Sequence, residues 1–302
     1  MQNKKAFRKL MYSCIKATDT GIKCIIFESA GDHNPYYQVK FANHYILMIP
    51  NRIKENCLLP LISCHTDTVR ASQEIRNIHE ERGCLHNGDK FDCLGGDDRA
   101  GIAIALSLIR DCTPAIFLFC DGEETTSIGS TEFIQKEEET IMKTNCYIGL
   151  DRRGANDLAL YDYVSDSLNK LFILENYEEK GGSVTDVSSI ASEYPKPTVN
   201  LSVGFYNEHT QKEYVNLLDA YNTYMRISRV LPQLIGKYFT DMKAISYTSR
   251  YNVSYWTNRD KSIWEVDREL GIPDSTCLQC PFYHIEDDTC DYNFECIDEF
   301  WD

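Results

Sequence analysis

Five short segments of the sequence carry side chains that can bind metal ions or transfer protons. Each lies at the end of an apolar run or in a loop, and they are HTD (65–67), GGDD (95–98), DGEE (121–124), GLD (149–151) and NEH (207–209). Residues i and i+2 of a strand share a face, so the Asp67 carboxylate can hold one ring nitrogen of His65 while the other binds a metal. The carboxylates of Asp121, Glu123 and Glu124 would repel one another unless cations or shifted pKa values relieve them. Any one segment has a simpler explanation, such as a helix cap, but five together indicate a metal-dependent site.

The elements that must bring these segments together are those of an α/β sheet. Over the first 210 residues, β-rich runs alternate with helical patterns, and the predicted strands are CIIFE (24–28), YYQVKFANHYILMIP (36–50), LPLISCH (59–65), AIFLFCD (115–121), CYIGLD (146–151) and TVNLSVGF (198–205). Helical spacing predicts helices over 98–110, after Ser127, and over 212–238 with a break at Pro232. Several strands are almost continuously apolar, as in sheets that are covered by helices on both faces. In such sheets ligands bind at the carboxyl ends of the strands, where most of the five segments fall.

The composition restricts the partners. The chain has 302 residues and a formal net charge of −15, which disfavours nucleic acid and anionic membranes because both would be repelled. No run approaches the roughly 18 apolar residues that span a bilayer, and the N-terminus lacks the apolar segment of a signal peptide. We therefore expect a cytoplasmic protein in which most of the 13 cysteines are free thiols.

In their order and spacing, HTDTV, GGDDRAG, DGEE, GLD and NEHT resemble the di-zinc exopeptidase superfamily, which includes peptidase T, carboxypeptidase G, the aminoacylases and the leucyl aminopeptidases of bacteria. The resemblance covers about residues 58–215. It implies a three-layer α/β domain with a central mixed, mostly parallel sheet between helices. It also implies an exopeptidase that acts on peptides, most simply an aminopeptidase or dipeptidase. The alternatives are an amidohydrolase that acts on N-acyl amino acids or small amides, and an inactive binding protein on the same fold.

The resemblance also assigns roles to individual residues. It implies two metal ions bridged by Asp97, with His65 and Asp151 on one ion and Glu124 and His209 on the other. Glu123 would be the catalytic base, and Asp67 would orient His65. This mixture of histidine and carboxylate ligands, without thiolates, suits two catalytic Zn²⁺ ions, with Mn²⁺ or Co²⁺ as alternatives.

Two spacings depart from the larger members of the superfamily. Only 57 residues lie between Asp151 and His209 and 31 between His65 and Asp97, too few for the lid domain or the inserted domain found at these places. We therefore expect a lidless catalytic domain. A tyrosine could replace the lid histidine that assists the oxyanion, and the candidates are Tyr161, Tyr163 and Tyr206.

Two further segments have more than one interpretation. GGSVTDVSS (181–189) resembles the superfamily's Gly-Gly-Thr-Asp loop, so Asp186 either contacts the substrate or caps a helix. Arg153, together with Arg152, either binds a substrate carboxylate or neutralises the acidic cluster, and we favour neutralisation.

The C-terminal region differs in composition from the rest. We predict a catalytic domain over 1–240 and a Cys-rich extension over 241–302. Four cysteines lie in the last 26 residues, namely Cys277, Cys280, Cys290 and Cys296. They can form a structural zinc site, which would hold a third metal ion, with His284 as an alternative ligand; two disulfides or free thiols are the other interpretations.

Overall fold

A computed structural model describes residues 2–30, 36–51, 54, 57–70, 75, 77–88 and 92–245, together with the two-residue strands Tyr283–His284 and Thr289–Cys290. By internal contacts the chain divides into two units, Met1–Tyr247 and Thr248–Asp302. The domain boundary at residue 240 stays a prediction. Of the C-terminal cysteines, Cys277, Cys280 and Cys296 lie outside the described residues and Cys290 belongs to a short strand, so the structural zinc site also stays a prediction.

The first unit contains fourteen strands and eight α-helices within the described residues. The strands are β1 (Tyr37–Phe41), β2 (Tyr45–Pro50), β3 (Leu59–His65), β4 (Ile78–Glu81), β5 (Cys84–Asn87), β6 (Ile116–Cys120), β7 (Thr144–Arg152), β8 (Asp157–Leu160), β9 (Tyr163–Ser165), β10 (Glu178–Gly181), β11 (Thr198–Ser202), β12 (Phe205–Tyr206), β13 (Tyr214–Asn216) and β14 (Met242–Ala244). The helices are α1 (Gln2–Lys16), α2 (Asp19–Ala30), α3 (Gly96–Arg110), α4 (Ile128–Lys136), α5 (Glu138–Met142), α6 (Asp166–Ile173), α7 (Asp186–Glu193) and α8 (Leu217–Val230).

Eight of the strands form the central sheet, in the order β1-β2-β6-β3-β7-β11-β8-β10. Strand β3 is parallel to both β6 and β7, and β11 is parallel to β7, so the middle of the sheet is parallel. Strands β1, β2 and β8 are each antiparallel to a neighbour. The sheet is therefore mixed and mostly parallel, as predicted.

Helices cover both faces of this sheet. Ile62 and Cys64 of β3 belong to the larger apolar cluster, which includes residues of α1, α2, α3 and α8. Leu59 and Leu61 of the same strand belong to a second cluster, which includes residues of α4 and α7. This alternation along one strand produces the three layers. Within the described parts of the chain, no helix is long and apolar enough to cross a membrane.

Three predicted elements need correction. Residues 24–28, predicted as a strand, belong to α2, because a short apolar run does not distinguish a buried strand from a buried helix. Residues 36–50 form the hairpin of β1 and β2 rather than one strand. The helix predicted over 212–238 begins only at Leu217, after β13 has paired with β5, and a 3-10 turn containing Pro232 follows its end at Val230.

Buried polar contacts tie the N-terminal helices to the sheet. Arg99 near the start of α3 is fully buried, and its guanidinium donates to the carbonyl of Thr66 and, at 2.7 Å, to the carboxylate of Asp19. Asp19 is the first residue of α2. The helical layer and the carboxyl end of β3 are therefore joined by one side chain.

Candidate metal centre

The segments that carry the predicted ligands meet at one edge of the central sheet. Strands β3, β6 and β7 are parallel neighbours, so their carboxyl ends lie side by side, with His65 in register with Cys120. Asp151 lies near the end of β7. The 95–97 loop overlaps the start of α3, where Asp97 and Asp98 have non-helical backbone angles. Residues 207–209 follow β12. Residues far apart in the sequence therefore reach a common site.

The first group of candidate ligands consists of His65, Asp97 and Asp151. Nε2 of His65 lies 3.0 Å from Oδ1 of Asp97 and 3.5 Å from Oδ1 of Asp151. One ligand atom of each residue lies within 4.8 Å of the others, which is close enough for a shared metal ion. The His65 side chain is only 1% exposed, so its ring is held in place by packing.

The second group consists of Asp97, Glu124 and His209. Nε2 of His209 lies 3.0 Å from Oε1 of Glu124 and 3.4 Å from Oδ2 of Asp97. The two oxygens of Asp97 thus face different histidines, and Asp97 belongs to both groups. These are the five residues that the resemblance implies as ligands, and the structure brings all of them together.

The charges of this site favour a bound cation. Burial and the charge of Asp97 raise the pKa of Asp151 to about 7. Burial alone would also raise the pKa of Asp97, but its hydrogen bonds to His209 and His65 outweigh burial and lower that pKa well below the usual range. Carboxylates concentrated away from water are stabilised by a metal ion, and two imidazoles with three carboxylates are a donor set that zinc accepts. The residues present therefore fit zinc.

Glu123 stands beside the ligands without belonging to either group of the described residues. Burial, with the charge of Asp151, raises the pKa of its carboxyl to about 9. Its own N–H donates to Oδ1 of Asp67 at 3.1 Å, which fixes the backbone at this point. Glu123 and Glu124 are neighbours in the chain, but their side chains differ. Among the described residues, the structure shows a hydrogen bond to a candidate ligand histidine for Glu124 and none for Glu123.

Asp67 holds two parts of the site. Nδ1 of His65 lies 3.1 Å from the backbone oxygen of Asp67 and 3.5 Å from its carboxylate, so both oxygens can orient the ring. The same carboxylate accepts the N–H groups of Gly122, Glu123 and Glu124 at 2.9, 3.1 and 3.1 Å. Burial would raise the pKa of Asp67, but the contacts with His65 and these N–H groups lower it to about 2. The connection to the 122–124 loop is a role that the sequence did not indicate.

The two adjacent aspartates of the GGDD segment do different work. Asp98 is fully buried and accepts the N–H of His65 at 3.2 Å and that of Gly101 at 3.0 Å. Asp97 instead reaches the two histidines. The peptide bond between the two aspartates is cis. The two neighbouring carboxylates therefore have different contacts: Asp98 accepts backbone N–H groups, and Asp97 faces the histidines.

Glu213 is a residue of the site region that the sequence analysis did not identify. It is 2% exposed, and its carboxylate accepts the N–H groups of Gly95 and Asp97 at 2.7 and 3.0 Å. It lies four positions after His209, and this short spacing was the sequence feature that could have identified it.

The arginines beside the site are paired within the protein. Arg153 donates to the Glu208 carboxylate at 2.8 Å, and Arg152 donates to Asp157 at 3.4 Å. These pairs agree with neutralisation of acidic groups, and a role in substrate binding stays a prediction. Asp186 begins α7, is 3% exposed, and has a pKa that burial raises.

The three tyrosine candidates lie in two places. The Tyr206 hydroxyl donates to Asp219 at 2.8 Å. Tyr161 and Tyr163 line a cavity of about 170 Å³ together with residues 182–184 and part of α7. They follow β8, which is antiparallel to β11, so the chain reaches them at the edge of the sheet opposite to the ligands.

Comparison with known proteins relates this chain to peptidases. The model of Peptidase family M28 matches residues 45–194, which contain four of the five segments. The predicted resemblance to the di-zinc exopeptidases is confirmed. Among curated protein sequences, none matches the chain.

Solved structures of peptidases share the fold. The aminopeptidase PepT from Bacillus cereus ATCC 10987 has a TM-score of 0.58 at 12% identity, over 76% of this chain and 98% of that chain. A tripeptidase from Staphylococcus aureus subsp. aureus Mu50 has a TM-score of 0.59 at 12% identity, also over 76% and 98%. An aminopeptidase from the archaeon Desulfurococcus kamchatkensis has a TM-score of 0.56 at 10% identity, over 81% and 99%. With the M28 match, this shared fold supports a metal-dependent hydrolase of the zinc metallopeptidase class.

Proposed function

We propose that this protein is a co-catalytic di-zinc exopeptidase, most simply an aminopeptidase. The observation that supports this most directly is that Asp97 belongs to both candidate metal groups, with one oxygen facing each histidine. A shared carboxylate suits two ions held about 3.5–4 Å apart. His65 and Asp151 would complete one ion's ligands, and Glu124 and His209 the other's.

The chemistry of the metals and that of the protein are separate contributions. Two zinc ions bound here would polarise the scissile carbonyl and lower the pKa of the attacking water. The Glu123 carboxylate would accept the proton of that water and later deliver it to the departing amine. Bound cations would counter the burial that raises the pKa of Glu123 and favour the ionised form that a base needs.

The proposed substrates are peptides with a free amino end. The relatives that share the fold include two aminopeptidases and a tripeptidase. Dipeptides and N-acyl amino acids both present an α-carboxylate close to the scissile bond, and arginine is the usual partner of that group. Because Arg152 and Arg153 are already engaged by carboxylates, longer peptides are the favoured substrates.

We also propose a cytoplasmic location. The nine cysteines within the described residues, from Cys14 to Cys146, are all free. Free thiols are the normal state of cysteine in a reducing compartment.

Matched peptides test the proposed function. Purified protein is incubated with one hexapeptide in free, N-acetylated and C-amidated forms, and with N-acetyl amino acids, with and without a chelator. We expect the free and amidated peptides to lose residues from the amino end, the N-acetylated peptide to stay intact, and the chelator to stop the reaction until zinc is returned. Mass spectrometry of the products is the measurement.

The other outcomes identify the alternatives. Release of acetate from N-acetyl amino acids, with peptides left intact, would identify an amidohydrolase. A folded, zinc-loaded protein that leaves every substrate unchanged would indicate a binding protein on the same fold.

A further inference from the structure

Glu213 is a buried carboxylate that takes no part in the reaction proposed above. It lies just before β13, and its side chain points at the loop that carries Asp97 rather than at the metal groups. Oε2 accepts the N–H of Gly95 at 2.7 Å, and Oε1 accepts the N–H of Asp97 at 3.0 Å. A carboxylate that is 2% exposed needs such partners, because an unpaired buried charge is costly.

The 95–97 loop passes very close to Glu213, and its two glycines permit this approach. Gly95 has φ +70°, a conformation that side chains other than glycine rarely adopt. A Cβ at Gly96 would lie 2.7 Å from Cγ2 of Val215 and 3.1 Å from Oε1 of Glu213. The loop and the carboxylate are therefore fitted to each other, and the backbone of Asp97 has little room to move.

We propose that Glu213 is a positioning residue that fixes the Asp97 carboxylate where the two metal groups meet. This inference rests on the proposed di-zinc function. Asp97 is common to both groups of described residues, so a shift of its backbone would alter both groups at once. Glu213 would thereby set the spacing of the two ions and their affinity without contacting either ion.

Asp67 provides an internal comparison. It also accepts several backbone N–H groups from one loop, but its contacts reach Glu124 of the second group and His65 of the first, not the residue that both groups share. Loss of the Glu213 contacts should therefore change the coupling between the two ions. Loss of a side chain that only stabilises the fold should leave that coupling unchanged.

The test compares Glu213→Gln with a matched control. Glutamine keeps one carbonyl oxygen, but its NH₂ group would face one of the two N–H donors, so one hydrogen bond is lost. Glu132→Gln is the control, because Glu132 is also buried, accepts a backbone N–H, that of His44 at 2.8 Å, and belongs to neither metal group of the described residues. Both variants are prepared as full-length, metal-free protein and titrated with Co²⁺ and with Zn²⁺ against a competing chelator.

In Glu213→Gln we expect the affinity for both equivalents to fall on the order of tenfold or more, as for other residues that support metal ligands. We also expect the spin coupling between the two Co²⁺ ions, measured by electron paramagnetic resonance, to weaken. Turnover should fall with little change in KM. Glu132→Gln should match the wild type in all three measurements. Wild-type affinities and unchanged coupling in Glu213→Gln would overturn the inference, as would equal losses in both variants.

Failure of the underlying function has a different result. If wild-type protein binds fewer than two equivalents, the di-zinc proposal itself is wrong, whatever Glu213→Gln does. If Glu213→Gln does not fold, hydrogen exchange of the metal-free wild type decides the question. The Gly95 and Asp97 amides should exchange slowly, since Glu213 accepts them without any metal. Exchange at the rate of a free peptide would show that the loop is not held.

Discussion

Carboxylates in this site act in three ways, and their hydrogen-bond partners distinguish the roles. Asp97 faces two imidazoles, as a ligand of two ions would. Asp67 and Glu213 accept backbone N–H groups and so fix the loops that carry other acidic residues. Among the described residues, the structure shows no contact between the Glu123 side chain and an imidazole or a backbone N–H. This carboxylate is therefore available for proton transfer.

Exchanging the two neighbouring glutamates for glutamine should have different effects. Glu123→Gln should keep both metal ions and lose turnover by roughly 10²–10⁴-fold, because only the proton acceptor is removed. Glu124→Gln should lose metal affinity together with turnover, since its oxygen lies 3.0 Å from Nε2 of His209. Metal content by atomic spectrometry, measured beside kcat, separates the two results. Substantial activity in Glu123→Gln would refute its role as the base.

Residue type and spacing were enough to predict the candidate ligands and the contact of Asp67 with His65, but not the contacts of Glu213. His65, Asp97 and His209 stand at strand or loop ends within a recognisable order of motifs. Glu213 lies in a segment predicted as helix, and its partners are backbone amides more than 100 positions away. A side chain that accepts distant amides leaves no local pattern in the sequence, so this contact required the structure.

Helix α3 and strand β7 are packed closely next to the site. The Cα of Gly101 approaches so near that a Cβ would lie 1.9 Å from the carbonyl oxygen of Leu150, adjacent to Asp151. It would also lie 2.2 Å from the Asp98 carboxylate. The spacing between this helix and this strand therefore depends on a glycine.

Gly101→Ala should consequently lower the free energy of unfolding by about 1–3 kcal/mol or more, the usual cost of inserting atoms into a packed interior. Ser107→Ala on the same helix is the matched control; its hydroxyl only donates back to the Ala103 carbonyl at 2.8 Å. Urea unfolding of the two metal-free variants provides the comparison. An equal, small effect of both changes would mean that α3 can shift away from β7 at low cost.

The turn between α7 and β11 contains a half-buried lysine, Lys196. Nζ of Lys196 donates to the carbonyl and hydroxyl of Thr144 at 2.7 and 2.8 Å, and burial lowers its pKa from 10.5 to about 8. Between these pH values the unfolded chain holds a proton that the folded protein has released. Stability contributed by this residue should therefore rise as the pH increases from about 8 to about 10.5.

Lys196→Met tests that pH dependence. Other groups titrate in the same range, so the quantity to measure is the difference in the free energy of unfolding between wild type and variant at each pH. The free energy of unfolding of the wild type should increase relative to that of the variant as the pH rises from about 8 to about 10.5. Lys243→Met, which removes a surface ion pair with Asp166, is the control for the loss of a lysine side chain. A flat curve for Lys196→Met would contradict the direction of the shift.

At the level of elements, long apolar strands were predictable and short amphipathic pieces were not. Strands β3, β6 and β7 are covered on both faces, so their nearly continuous apolar sequence identified them. Residues 24–28 have the same appearance, but they form part of α2, whose Ile22 and Ile26 are buried one turn apart. Strand β13 has only three residues, and its pairing with β5 depends on residues distant in the sequence.

For the whole molecule, the clustered negative charge should make stability depend on metal. A centre of the proposed kind would bind zinc more tightly in the folded protein than in the unfolded chain. Free zinc at about 100 times Kd should then add roughly 2.7 kcal/mol per site. We expect a higher midpoint of thermal unfolding with zinc than with chelator. In Asp97→Asn the midpoint should depend less on zinc, because the shared ligand is weakened. Equal midpoints with zinc and chelator in the wild type would contradict a preformed metal centre.

The net charge of −15 should also influence which peptides arrive fastest. A cationic peptide should have a higher kcat/KM than an anionic peptide of the same length and the same first residue, because the field of the protein attracts it. Raising the ionic strength from about 0.01 to 0.15 M shortens the Debye length from roughly 30 to 8 Å. The ratio of kcat/KM for the cationic peptide to that for the anionic peptide should therefore fall. A ratio that does not change with salt would assign the preference to contacts in the site instead.

The guanidinium of Arg99 connects helix α2 to the candidate metal centre through Asp19 and Thr66. Removing α1 and α2 would take away the Asp19 carboxylate and leave a cation without its counter-ion in the interior, one residue from Asp98. Shortened versions that begin at β1 should thus lose the active conformation even though every ligand is retained. By this contact, the N-terminal helices stabilise the edge of the sheet that carries the candidate metal ligands.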